Sequence, residues 1–367
     1  MNSQPMAIRG IGVVGGFGAG LHALEAALRG ELPRPGQVTF SNDGREVVLP
    51  AFLADTEPLA EFLPKKSLRR IDHYSRLALL GASQALADAG REQFDPQRMG
   101  VVVASGYGAT RTTFAFLDSV IDDGDQCASP THFSNSVHNA AAAHISILLG
   151  ITGPSLTVSQ FEMSVPSALL SAARWLAEGR VDSVLFGGID EYCDVLGYCW
   201  DHFFGSGDGG PIRPLELQRQ SAILAEGAAF FVLTRADEGS PSRYGTVQGI
   251  DIGHQSGQKL PVAADALLLL GVDGHRRCGS LYPSQIPAQA DVVSYSPLYG
   301  SLPVGPAFDM AIAALIRAGG EIYPAPVGAD DGCPGRVVRQ PEAIAGRPLA
   351  CLKCSGAGEI SIINLGG

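Results

Sequence analysis

Residues Leu156 to Glu191 read LTVSQFEMSVPSALLSAARWLAEGRVDSVLFGGIDE, and this stretch decides the fold. Ser155 to Ser159 reads as a strand, Glu162 as the centre of a tight turn, and Ser183 to Phe186 as a second strand ending in Gly187-Gly188. Between them Val165, Leu169, Ala172, Ala173 and Leu176 recur at three- and four-residue steps, which places them on one helical stripe. Ser164 and Pro166 suit a first helical turn, where a hydroxyl can cap and a missing N–H does no harm. Gly179 ends the helix. A strand that runs through a sharp turn into a helix presents one side chain at the helix N-terminus, where free N–H groups and the dipole favour negative charge. A cysteine there would become a reactive thiolate. This chain has Glu162 instead.

Composition sets the outer bounds. A chain of 367 residues, 46% hydrophobic with mean hydropathy +0.14, can bury a large core in one big domain or two. Its 46 glycines and 24 prolines fit an α/β protein with many tight turns. A net charge of −11 argues against nucleic acid or an anionic membrane as partner. It leaves room for an acidic carrier docking on a local basic patch such as Lys65-Lys66 with Arg69-Arg70, a cluster that solvation alone also explains. With no secretory leader pattern and no apolar run long enough to span a bilayer, a cytoplasmic protein is expected. Seven cysteines are scattered, and Cys351-x-x-Cys354 lacks the second pair a zinc site needs, so reduced structural cysteines are expected.

Outward from the centre, Ala7 to Val14 reads as a strand and Leu21 to Leu28 as a helix. The Gly15-Gly16-Phe17-Gly18 turn between them lacks dinucleotide-loop spacing and the distal acidic residue, so no cofactor is expected. A hairpin is expected around Asn42-Asp43-Gly44. Arg69 to Ala89 carries a helical stripe, Met99 to Ser105 a buried strand, and Tyr107 to Val120 a helix with Phe114, Phe116 and Leu117 as bulky members. His138 and His144 lie six apart, the wrong spacing for shared metal ligation. Glu226 precedes Gly227 and a closing strand Ala229 to Thr234, and reads as buried, paired and structural. Strands from Gly245 to Ile252, Leu267 to Leu270, Val292 to Tyr295 and Ile360 to Asn364, with a helix from Ala307 to Ala318, make a second, shorter half.

The central stretch resembles the active-site elbow of β-ketoacyl-acyl-carrier-protein synthases, T-V-x-T-A-C-A-S, then a helix, G-x-x-D and a strand ending in G-G. Thr157-Val158-Ser159, Ser164, Gly179 to Asp182 and Gly187-Gly188 fall in register. Gln160-Phe161 replaces Thr-Ala, and Glu162 takes the cysteine position. Asn135-Ser136, Asn139, Ile145-Ser146, Gly150 and Gly153-Pro154 match the family's N-S-x-x-N segment, and Arg213 to Glu216 and Ala225 to Ala228 match R-P-F-D and G-E-G-A. The resemblance implies a thiolase-like α/β fold of two duplicated halves with stacked central helices, here residues 1–240 and a shortened 241–367.

It also implies what is gone. Ketosynthases use two histidines of the second half, in H-G-T-G-T and G-H, to polarise the malonyl carbonyl. Ser294 to Leu298 replaces the first loop, Ser301 stands at the second motif, and His275, the only histidine after residue 254, has no motif around it. A carboxylate nucleophile would yield a mixed anhydride, ill suited to thioester exchange. The resemblance therefore points to a chain-length factor. Such a non-catalytic subunit pairs as a heterodimer with an active ketosynthase and its acyl carrier protein, in polyketide, aryl-polyene or fatty-acyl elongation. By the same resemblance Phe114, Phe116, Leu117, Phe133 and Met163 are candidates to line or close an acyl tunnel. Phe114 and Phe116 cannot share a helical face, and Leu117 favours that of Phe114; core packing accounts for each equally well. Two other readings stand beside this one: a standalone thioester hydrolase or decarboxylase with Glu162 as base, and a decayed synthase that serves only as scaffold.

Overall fold

The structure, a computed structural model, describes residues 4–30, 32–42, 44–124, 126, 128–204, 210–237, 242–257, 259–326 and 333–367. To the large sheet the first half contributes, besides the short Gly18–Ala19, the strands β1 (Met6–Gly15), β2 (Met99–Ala104), β3 (Ser155–Val158), β4 (Ser183–Asp190) and β5 (Gly227–Arg235). The second contributes β6 (Thr246–His254), β7 (Leu267–Leu270), β8 (Asp291–Val293), β9 (Leu349–Cys354) and β10 (Glu359–Gly366). Their lateral order is β3-β2-β4-β5-β1 in one half and β8-β7-β9-β10-β6 in the other, the same pattern twice. The two join where Met6 and Ala7 of β1 pair with Val247 and Thr246 of β6. Beyond that seam the free amides of Ile11 and Val13 are taken by side chains, Asp88 and Gln84, at 3.0 Å each.

The helices that frame the sheet and its centre include α1 (His73–Ala89), α2 (Thr110–Asp123), α3 (Ala140–Leu149), α4 (Ser164–Ala177), α5 (Asp194–Phe204) and α6 (Gly305–Gly319). Helices α4 and α6 touch each other and form the middle of the molecule. Val165, Leu169 and Ala172 of α4 and Ala307, Ala311 and Ala314 of α6 share one core with Phe186 and Phe231 of the first half and Leu267, Leu269 and Cys351 of the second. The opposite face of the first half is covered by α1 and α3. Strand alternation does the sorting, since Leu268, Leu270 and Cys354 face a separate core on the far side of the second half. Cys351 and Cys354 thus lie on opposite faces and share no site.

Gly187-Gly188 does not end its strand, which runs on to Asp190. The pair is a thin place. A Cβ on Gly188 would come within 3.1 Å of Val304 and Ala307 and 3.2 Å of Val165, and one on Gly187 would strike the Phe230 ring at 2.3 Å. Helix α1 begins at His73, later than its stripe suggests, because Asp72 caps it by accepting from the Ser75 amide at 3.0 Å. The expected hairpin pairs Gly36–Asn42 with Arg45–Phe52, while Asp43 at its tip lies outside the described residues.

Candidate functional site

The elbow forms as its sequence suggests, with a different use of Ser164. Phe161 adopts φ +44, a left-handed conformation rare outside glycine, and opens a single 3-10 turn that places Glu162 between β3 and α4. Ser164 does not cap the helix. Its hydroxyl shares its one proton between the carbonyls of Ser105 (2.9 Å) and Phe161 (2.7 Å) and accepts from the Gln160 amide (2.7 Å), clamping the turn that the left-handed residue bends. Ser105 and the loop after β2 are held in turn by the buried Asp190, whose Oδ1 accepts from Ser105 Oγ, Gly106 N and Tyr107 N at 2.8–3.0 Å. Burial pushes the Asp190 carboxyl up to about 7 against the pull of those donors.

Below the elbow, the second half supplies a compact polar cluster. Glu162 Oε1 accepts from the thiol of Cys278, Sγ to oxygen 3.8 Å. Lys353, buried in β9, donates from Nζ to Asp273 Oδ2 and to the Gly271 carbonyl, 2.9 Å each. Burial would raise the Asp273 carboxyl, but Lys353 and His275 hold it below the usual carboxylate range. Burial works the other way on the Cys278 thiol, which is pushed up to about 12 and stays protonated. His275, packed against Trp200 and Phe204, is held below the ordinary imidazole range by burial. Ser301, at the second histidine motif, is buried and accepts from the Ile223 amide (3.0 Å) while donating to the Asp273 carbonyl (2.7 Å). It is a brace between loops.

The structure thus brings Glu162 and Ser301 to opposite ends of one cluster and adds His275, which carries no motif in the sequence. Cys278, Asp273 and Lys353 escape sequence reasoning. Lys353 leaves a signal all the same: a lone lysine inside the apolar strand LACLKC needs a buried partner. Glu226 is buried as expected, meeting His73 Nε2 at 3.0 Å and the amides of Ala54 and Tyr192. His144 bonds Asn135 at 2.9 Å, and no metal-binding group occurs among the described residues.

The tunnel candidates scatter. Phe116 packs on Phe133, ring centres 5.3 Å apart, so the more buried of the two α2 phenylalanines is not the one that Leu117 favours. Phe114 and Leu117 are 38% and 42% exposed, and Phe114 borders a groove of about 500 Å³ with Arg111 and Cys193 to Val195. Met163 is wholly buried. Strand β3 is the outermost strand on its side of the sheet. Beside it runs a second groove of about 340 Å³, lined by Ser146, Ile147, Leu156 and Thr157. The hydroxyls of Ser146 and Thr157 are buried there without a partner, and Ile147 is 73% exposed.

A strand–turn–helix elbow between two α/β halves of equal strand order is the architecture of thiolase-like ketosynthases. The "Beta-ketoacyl synthase, N-terminal domain" family profile matches residues 35–239, over half the chain, and the protein belongs to that family. Among relatives, it is 26% identical over 184 residues to 3-oxoacyl-(acyl-carrier-protein) synthase 2 of Vibrio cholerae, covering 47% of this chain and 44% of that one. The chain spans about half the length of the curated relatives it matches. Its fold is shared with the ishigamide ketosynthase/chain length factor, at TM-score 0.81 and 18% identity over 99% of both chains. It is shared as well with a ketosynthase in complex with its chain length factor from Xenorhabdus doucetiae, at TM-score 0.79 and 16% identity over 99% of this chain and 98% of that one. No helix among the described residues is long and apolar enough to cross a membrane.

Proposed function

We propose that this chain is a non-catalytic, chain-length-factor-like subunit that pairs with an active ketosynthase to elongate carrier-bound polyketide, polyene or fatty acyl chains. The observation that carries this reading is an elbow kept in shape while the side chain it presents is a carboxylate, Glu162, bonded to a protonated thiol. The hydroxyl of Ser301 is consumed by backbone groups, so the second motif position offers no free group to polarise a thioester carbonyl. Pairing is supported by the outermost strand β3 and the groove beside it, where Ile147 is exposed. Exposed Lys65, Lys66, Arg69 and Arg70 offer an acidic carrier a basic landing site. On this reading the halves divide at residues 1–240 and 241–367, and the complex works in the cytoplasm. The test is coexpression with a ketosynthase that retains cysteine and both histidines, followed by gel filtration and intact mass spectrometry after exposure to acyl-carrier thioester. A heterodimer acylated only on the partner is expected; a stable acyl adduct on this chain, or no complex, overturns the reading.

A further inference from the structure

The carboxylate at the elbow has no cation of its own. Among the described residues its hydrogen bond comes from Cys278, a neutral thiol, and no ion pair reaches it. The lysine of the cluster, Lys353, is fully buried, bonded to the Gly271 carbonyl and ion-paired with Asp273 at 2.9 Å, so the charge that Glu162 feels from it is offset by Asp273. Asp309 stands behind, its carboxyl bonded by Tyr299 at 2.8 Å and pushed up to about 7 by burial. Burial holds His275 below the ordinary imidazole range. Toward solvent the neighbours are aromatic: Tyr107 meets Phe161 edge to face at 6.3 Å, and Phe161 is 62% exposed. Arg277 lies along Gly356, and Arg276 beside it is exposed, where water and salt screen both charges. The half-buried Glu162 is screened less, so a carboxylate faces the approach to the elbow.

We infer that Glu162 makes the elbow a charge filter, admitting thioesters whose acyl group is neutral and turning away those whose acyl group ends in a carboxylate. This rests on the reading of the chain as a partner in acyl-chain elongation. A malonyl-type group carries its carboxylate two bonds from the carbonyl carbon, so seating the carbonyl at the elbow sets two carboxylates close together in a partly desolvated space. An alkyl or ketoacyl chain meets no such opposition. A subunit with this filter takes part in holding the growing chain and leaves the extender unit to its partner.

The test uses the full chain within its heterodimer and two hydrolysis-resistant probes, octanoyl- and malonyl-pantetheine amide, titrated by calorimetry at low salt. The octanoyl probe is expected to bind this subunit at least tenfold more tightly than the malonyl probe. Glu162→Gln should bring that ratio near one, while Glu162→Asp should keep most of it. To isolate this subunit's site, the partner's cysteine is blocked beforehand by alkylation. Equal binding of the two probes to wild type, or a ratio that Glu162→Gln leaves untouched, overturns the filter while the heterodimer reading stands. Binding of neither probe overturns the filter too, and gel filtration of the same sample reports separately whether the heterodimer exists.

Discussion

The two halves of this molecule share one strand order and differ in what they place at their shared centre. In the first half, Ser105, Ser164 and Asp190 hold the elbow by hydrogen bonds that end mostly on backbone amides and carbonyls. Such bonds keep their geometry whichever side chain residue 162 carries. In the second half the corresponding space holds a buried ion pair, Lys353–Asp273, and a hydroxyl brace, Ser301. Chemistry depends on side-chain identity and shape on backbone contacts, so an elbow can keep its shape whichever side chain it presents.

The largest effect that can probe this comparison lies in the second half. Lys353→Met leaves Asp273 buried without its cation and should cost about 3–5 kcal/mol by urea denaturation. Adding Asp273→Leu should recover much of that, because an apolar pair needs no mutual compensation; no recovery would show that the pair is not the unit described. A pH profile comes next. Burial holds Asp190 and Asp309 up near about 7 and Glu191 up to about 8, so the folded chain keeps protons that the unfolded chain sheds near pH 4. Their stabilising contribution is therefore full below about pH 4 and is lost as pH rises through about 7–8. Glu226 and Asp273, held low, contribute in the opposite sense, losing stability only as pH falls through their depressed values. The melting temperature should decline between about pH 4 and 8, and Asp309→Asn should flatten that decline.

Smaller effects test the first half. Ser164→Ala frees the Gln160 amide and the Ser105 carbonyl at a cost of about 1–3 kcal/mol, read by thermal melting. An unchanged melting point would mean that the left-handed turn needs no clamp. Phe114→Ala should lose only about 1 kcal/mol, since its ring is 38% exposed and the ~3–5 kcal/mol of a buried ring does not apply. If α2 closes the tunnel in the assembled dimer, Phe114→Ala or Phe116→Ala lengthens the products; unchanged products from both would assign this segment to packing alone. The smallest expected effect is none. Glu162→Cys should yield no decarboxylation of malonyl-carrier, because Ser301, at the second histidine motif, is already bonded to backbone groups.

Much of the fold is legible in the chain because its signals are local and periodic. The α4 stripe, the β3–turn–α4 elbow and the paired glycines each occupy a few consecutive residues. The cluster under Glu162 is not legible, because Cys278, Asp273 and Lys353 come from three separated segments that only tertiary packing unites. Exposure on α2 also escapes, since spacing gives relative faces and not which face meets solvent. The role of Ser164 is hidden for a similar reason: a serine at a helix start has several backbone partners within reach, and the left-handed Phe161 selects among them.

The seam between the halves bears on synthesis. Strand β1 pairs with β6 over only two residues, and the amides beyond are completed by Asp88 and Gln84 of α1, both made long before β6 leaves the ribosome. The first half thus satisfies those two amides by itself, although the amides of Ile8, Ser221 and Ile223 find their partners at Gly245, Gly274 and Ser301 of the second half. What it lacks is a cover for the apolar side of α4, which only α6 and the second half provide. A nascent chain stalled near residue 240 presents its sheet with an oily helix on its surface, the kind of intermediate that chaperones hold.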